Sequence, residues 1–251
     1  MRFWLTWAKP ADLDFMAVDT VTCSPVQEIE LVHVESEWEF ALENAEAIAA
    51  FWQERRAEKP ALFNGAVLVT RDLELSGGVL RGETFQTDFA SFYAWIWWGC
   101  PDQSVVNLFS SAVVMGADRS VVFGKMGDHT ANAGRVYPPG GSLDPNDILP
   151  DGRVDLVGSV RRELYEETGL DARRARGGGM TLHRSGQKCS LACTFRFENG
   201  ANTLAQQIRA SLKAQEEPEL EDVVVIRELK EMPVDVMPDW SQSICYHALK
   251  G

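Results

Sequence analysis

The sequence predicts an α/β protein, and three observations carry that prediction. Apolar residues recur at helical spacing from Glu37 to Arg56, where Trp38, Ala41, Leu42, Ala45, Ile48, Ala49 and Trp52 share one face. Two apolar runs, Leu62 to Leu75 and Leu108 to Met115, have the length and β-branched content of strands. Helix and strand patterns alternate along all 251 residues, enough for one large domain or for a core domain with an extension.

In chain order, residues 2–8 read as a short edge strand, and Glu28 to Val34 alternates as a strand does. Lys59-Pro60 ends the first helix. Gly77-Gly78 is a hairpin turn between Leu62–Leu75 and a partner strand from Val79 to Phe85. A second helix runs from Asp88 to Trp98, capped by Thr87 or Asp88. The aromatic run Trp95-Ile96-Trp97-Trp98 reads as core packing. Strands follow at Leu108 to Met115 and Ser120 to Lys125, then a polar loop from Gly127 to Gly134. Pro138-Pro139-Gly140-Gly141 leads into a surface loop from Ser142 to Asp155. Asp155 caps a helix that runs to Thr168, with Leu156, Val157, Val160 and Leu164 as its apolar stripe and Gly169 as its left-handed stop. Met180 to His183 is a poorly patterned strand, and Leu191, Cys193, Phe195 and Phe197 alternate as one face of a clearer one. A helix from Leu204 to Ala214, a strand from Asp222 to Ile226 and a helix from Trp240 to Lys250 close the chain.

The net charge is −13, a poor match for duplex nucleic acid, which needs clustered Lys and Arg. Small phosphorylated ligands need only a local basic pocket, for which Lys125, Arg135 and Arg184 are candidates. Five cysteines without a CxxC pair point to free thiols in a reducing compartment. No signal peptide or membrane span is expected, so the reading is a soluble cytoplasmic protein.

The segment Arg162-Glu163-Leu164-Tyr165-Glu166-Glu167-Thr168-Gly169-Leu170 breaks two local rules together. Glu166 lies about 60° to one side of Glu163 and Glu167 about 40° to the other, so three carboxylates share one face and repel. Two of them sit in the last turn, where the helix dipole disfavours anions. The partner that resolves both conflicts is a divalent cation, Mg²⁺ or Mn²⁺.

From Gly141 to Leu170 the chain resembles the Nudix box, G-x5-E-x7-R-E-U-x-E-E-x-G-U with U apolar. Arg162, Glu163, Leu164, Glu166, Glu167, Gly169 and Leu170 match its second half, and Pro139-Gly140-Gly141 resembles its lead-in. The first half departs: 20 residues separate Gly141 from Arg162 where the pattern has 13, and counting back eight from Arg162 reaches Val154, next to Asp155. The resemblance implies an α/β/α sandwich with a mixed sheet over residues 104–251, preceded by an α/β extension at 1–103. It implies Mg²⁺- or Mn²⁺-dependent hydrolysis of a nucleoside diphosphate linked to another group. Glu163, Glu166 and Glu167 would hold metal, one of them serving as base if it is not a ligand, and Arg162 would orient Glu166. Gly140 and Gly141 would let the backbone approach the helix and the phosphates. A downstream carboxylate, Glu217 or Glu219, would complete the metal site. The extension, Leu62-Phe63-Asn64-Gly65 and the long box loop are similar to the uridine-diphosphate-sugar pyrophosphatase branch, which implies an NDP-sugar substrate. A homodimer is a possible assembly, as in many relatives. The competing reading is a Nudix-fold sensor that binds nucleotide without turnover.

Overall fold

The computed structural model describes residues 20–60, 62–130 and 132–251, so the strand expected at residues 2–8 lies outside it. Two short strands come first, β1 (Thr22–Val26) and β2 (Glu28–His33). β2 matches the alternating segment, whereas β1 contains Pro25 and little apolar pattern, and its register is set by its partner strand. The expected helix from Glu37 to Arg56 is broken. α1 (Glu39–Glu43) ends at Asn44, whose side chain donates to the Phe40 carbonyl at 2.8 Å, and α2 (Ala45–Glu58) starts from there. Asparagine competes for backbone groups in this way and interrupts helices. The break changes the buried face: Trp38, Phe40, Ile48 and Phe51 are inside, and Leu42, expected inside, is exposed.

β3 (Ala66–Ser76) and β4 (Val79–Asp88) form the expected hairpin. Gly77 and Gly78 have φ of 59° and 82°, the left-handed pair that a two-residue turn needs to match strand twist. Asp88, one of the two cap candidates, caps α3 (Phe89–Trp97) by accepting from the Ser91 amide at 3.1 Å. β5 (Val105–Met115) is buried along its whole length and starts earlier than its apolar run suggests. β6 (Val121–Met126) and β7 (Val136–Tyr137) follow, then α4 (Leu156–Thr168). The poorly patterned Met180–His183 belongs to a ten-residue strand, β8 (Arg176–Ser185), which turns at Gly186 into β9 (Lys188–Arg196). α5 (Ala201–Leu212), β10 (Leu220–Ile226) and α6 (Asp239–Lys250) complete the chain.

The architecture is mixed α/β. One sheet runs β1-β8-β9-β5-β3-β4-β2, with β6 joining β5 to β7 and β10. β5 pairs parallel with β9 and antiparallel with β3 and β6, which places it at the centre. Helices α4 and α5 pack on each other and on β5, β6 and β10, and α6 packs on β6, β8 and β9. The sheet runs on across residues 103 and 104, because β1 pairs with β8 and β3 with β5. A second, aromatic core lies under α3. In it Trp95 is fully buried and donates to the Asp102 carbonyl at 2.9 Å, while Trp97 and Trp98 are partly exposed against Phe51. The aromatic run is therefore half core and half surface. Among the described residues no helix is long and apolar enough to cross a membrane.

Trp95→Ala is expected to destabilise the fold by about 3–5 kcal/mol. Because the sheet joins the two segments, denaturant unfolding followed by tryptophan fluorescence and far-UV circular dichroism should remain one coincident transition. Two separated transitions would contradict the continuous sheet.

Candidate active site

Asp155 starts α4 by accepting from the Gly158 amide at 2.8 Å, and Gly169 ends it at φ 71°. Leu156, Val160 and Leu164 form the buried stripe, with Val157 half-buried at its edge rather than within it. Glu163 and Glu167 share the buried side at 2% and 4% exposure, whereas Glu166 is exposed. The helical period explains the split, since Glu166 is about 100° round the helix from Glu167.

Glu167 sits at the centre of the electrostatics. Its Oε1 accepts from the Gly140 amide at 2.9 Å, and its buried Oε2 has no hydrogen-bond partner. Burial pushes its carboxyl well above the usual carboxylate range, and the charges of Glu219 and Glu163 push it the same way. The Tyr137 hydroxyl is also held high, by burial first and then by Glu167. Of the two downstream candidates, Glu219 acts on Glu167, whereas Glu217 is exposed and absent from the groups that shift it. The charges of Glu163 and Glu219 thus reach buried Glu167, and Glu166 is exposed beside it. Among the described residues no three His, Cys, Asp or Glu side chains stand in metal-ligating geometry. The donor set nevertheless suits a hard cation: carboxylate oxygens only, one of them buried and unpaired.

Gly140 is held by strand β5. A Cβ there would lie 2.0 Å from the Ser110 carbonyl oxygen, so no other residue fits. Ser110 donates its amide to the Gly141 carbonyl at 2.9 Å, and the Gly141 amide donates to Ser110 Oγ at 3.2 Å. The two glycines therefore let the backbone approach strand β5 as well as the helix.

Arg162 corrects two expectations. Its Nη2 donates to Asp147 Oδ1 and to Ser159 Oγ, and it lies 3.9 Å from Glu163 Oε1. Its partners are Asp147 and Glu163 rather than Glu166. Asp147 is 2% exposed and fixed by a capping box, in which the Asp144 amide donates to its Oδ2 at 3.0 Å. Burial pushes the Asp147 carboxyl up, and the Asp144 amide and Arg162 pull it back. Counting forward from Gly141 passes five residues and reaches Asp147, the position of the pattern's outer glutamate, so the seven extra residues lie between Asp147 and Arg162. The backward count to Val154 missed this, and Asp155, which stood next to it, serves as a helix cap.

The long box loop is anchored to the sheet rather than lying loose on the surface. Leu143 is fully buried and its carbonyl accepts from the Leu68 amide at 2.9 Å. The Val154 amide donates to Leu31 at 3.0 Å and the His33 amide to Gly152 at 2.8 Å, so the inserted residues dock on β2. The basic candidates stand apart from one another in role. Lys125 pairs with Glu221 at 3.4 Å, Arg184 donates to the Gly186 carbonyl, and half-buried Arg135 acts on Lys188 of β9.

No protein-family model and no curated protein matches the chain. Solved structures do resemble it. A bifunctional NMN adenylyltransferase/ADP ribose pyrophosphatase from Francisella tularensis is 16% identical with a TM-score of 0.43, over 63% of this chain and 44% of that one. The MutT protein from Methanosarcina mazei Go1 is 16% identical with a TM-score of 0.38, over 58% of this chain and 94% of that one. The Nudix domain of Shewanella oneidensis NrtR, solved with ADP ribose, is 16% identical with a TM-score of 0.39, over 58% of this chain and 87% of that one. The chain spans less than half the length of the first of these.

Two stability predictions follow from the buried charges. Arg162→Ala leaves Asp147 buried without its cation and is expected to cost about 3–5 kcal/mol, whereas Arg162→Ala combined with Asp147→Leu should recover most of that loss. Urea melts check both, and additive losses would contradict the pair. Glu167→Gln is expected to raise the melting temperature of the metal-free protein at pH 7.5 by about 3 °C or more. A carboxyl pKa raised by folding gives stability that is full below the ordinary carboxylate range and lost as pH rises through the raised value. The melting temperature of the wild type should therefore fall over that rise more steeply than that of the Glu167→Gln variant.

Proposed function

We propose that this chain is a Nudix-type hydrolase that cleaves the diphosphate linkage of a nucleoside diphosphate joined to another group. The observation that carries the reading is Glu167. Its one oxygen is tied to the Gly140 amide, its other is buried and unpaired, and the carboxylates of Glu163 and Glu219 crowd it. A buried carboxylate on which two further acidic charges act lowers stability in the absence of a cation, and local conflict of this kind marks a functional site.

Bound Mg²⁺ or Mn²⁺ would neutralise charge on the phosphate oxygens and lower the pKa of a water. Glu163, Glu167 and Glu219 are the groups to hold it. Asp147 fixes Arg162, and Arg162 in turn lies against Glu163, which sets that carboxylate for binding. Glu166, exposed at the rim, is the carboxylate to accept a proton from the attacking water. The Gly140-Gly141 segment brings backbone close to the same point. Within the diphosphate class, the long box loop and the N-terminal strands favour an NDP-sugar. The location proposed is the cytoplasm, and the assembly a homodimer.

Phosphate release from a panel of NDP-sugars, dinucleotides, NTPs and CoA esters tests the reading, with Mg²⁺ or Mn²⁺ present and a coupled phosphatase. At least one class should turn over, and chelation of the metal should stop it. Glu163→Gln and Glu166→Gln should each lower turnover by about 10²–10⁴-fold with the fold retained. A variant with wild-type turnover would sink its assignment. Tight nucleotide binding without any turnover would replace the hydrolase by a sensor.

A further inference from the structure

Two adjacent indoles stand in solvent at the end of α3, Trp97 43% and Trp98 37% exposed. Trp98 lies in the wall of a groove of about 770 Å³ between α1 and the segment that enters β5. Both indoles meet the Phe51 ring of α2, with centroids 6.0 and 5.8 Å apart, and the Arg55 guanidinium covers Trp97 at 5.2 Å. The tryptophans therefore lie between the groove on one side and the last turns of α2 on the other. Large exposed aromatic surface of this kind marks a place where another molecule docks, and tryptophan is a frequent anchor in such contacts.

The two sides carry opposite charge. Glu37, Glu39, Glu43 and Asp102 line the groove. Arg71, the basic residue of its wall, is bonded to Glu83 at 2.9 Å. At the end of α2, Arg55 pairs with Glu54 at 3.2 Å and with Glu58 at 2.8 Å. That leaves exposed Arg56 and Lys59 as the outward charges there. An apolar centre with an acidic side and a basic side is self-complementary under a two-fold axis through the centre. The 14 residues of α2 make it about 20 Å long, so both sides fit within one interface of standard size, about 800 Å² per copy. The outer edge of β10 is a poorer surface for pairing. There the Val223 amide donates to Asp222 Oδ1 at 2.7 Å, and the Val223 carbonyl accepts from Arg209 at 2.8 Å.

We infer that this face is the interface of a symmetric dimer of the chain. Trp97 and Trp98 of the two copies meet at the axis and supply most of the affinity. Arg56 and Lys59 of each copy face the acidic groove of the other, and these charges fix the orientation. The inference rests on the homodimer proposed above and names its contact.

Sedimentation equilibrium of the full chain tests it, with far-UV circular dichroism to show that each variant stays folded. The wild type should be a dimer at micromolar concentration. Trp97→Ala combined with Trp98→Ala should raise its dissociation constant by about 30-fold or more. Glu39→Lys with Glu43→Lys should weaken the dimer by about tenfold or more, and so should Arg56→Glu with Lys59→Glu, because like charges then meet across the axis. An equimolar mixture of these two charge variants should associate again, since each contact then joins opposite charges. A mixture that associates no better than its components overturns the inference. A dimer that neither charge variant weakens overturns this interface and keeps the homodimer, whereas a monomeric wild type overturns both. Turnover of the diphosphate panel is read separately: its absence sinks the hydrolase and leaves the interface standing.

Discussion

A buried carboxylate needs a cation, and the pairing of Asp147 with Arg162 is the contact on which the site depends. Asp147 has no exposed side-chain surface, and Arg162 is its bonded cation. Breaking such a pair costs far more than the pair contributes, because one desolvated charge is left behind. The pair therefore fixes Arg162, and through it one side of α4. The helix is then locked in rotation: Leu156, Val160 and Leu164 face the sheet, and Glu163 and Glu167 are carried into the interior with them.

The N-terminal strands enter the same arrangement. The segment that carries Asp147 is held at both ends, by Leu143 against β3 and by Gly152 and Val154 against β2. Seven residues beyond the pattern's usual spacing would ordinarily be a loose loop. Here their backbone groups are paired with an existing strand, which removes the cost of leaving them unsatisfied and gives the extension a role in positioning the site. The parallel pairing of β5 with β9 and the antiparallel pairing with β3 place both parts of the chain on one central strand.

Much of this was legible in the sequence because local rules suffice there. The Gly77-Gly78 hairpin, the Asp88 and Asp155 caps, the Gly169 stop and the central apolar strand are each set by residues within a few positions of one another. The three glutamates stood out for the same reason. What escaped depends on partners distant in sequence. β1 takes its register from β8, and Arg162 reaches Asp147 through a loop whose fold is set by β2. The break at Asn44 was readable in principle, since asparagine competes for helix carbonyls, but the apolar periodicity on both sides concealed it. Asp147 was also within reach, because the forward count from Gly141 finds it where the backward count does not. Glu219 and Glu217 could not be separated by spacing, since only the course of the chain into β10 decides whose charge acts on Glu167.

Manganese titration followed by electron paramagnetic resonance is the most direct test of the central claim that Glu167 and its neighbours form a cation site. The wild type should take up Mn²⁺ at a saturable site that Mg²⁺ displaces. Glu167→Gln and Glu219→Gln should each lose that uptake, and Glu217→Gln should keep it. Uptake unchanged in Glu167→Gln, or no saturable uptake by the wild type, would contradict the account.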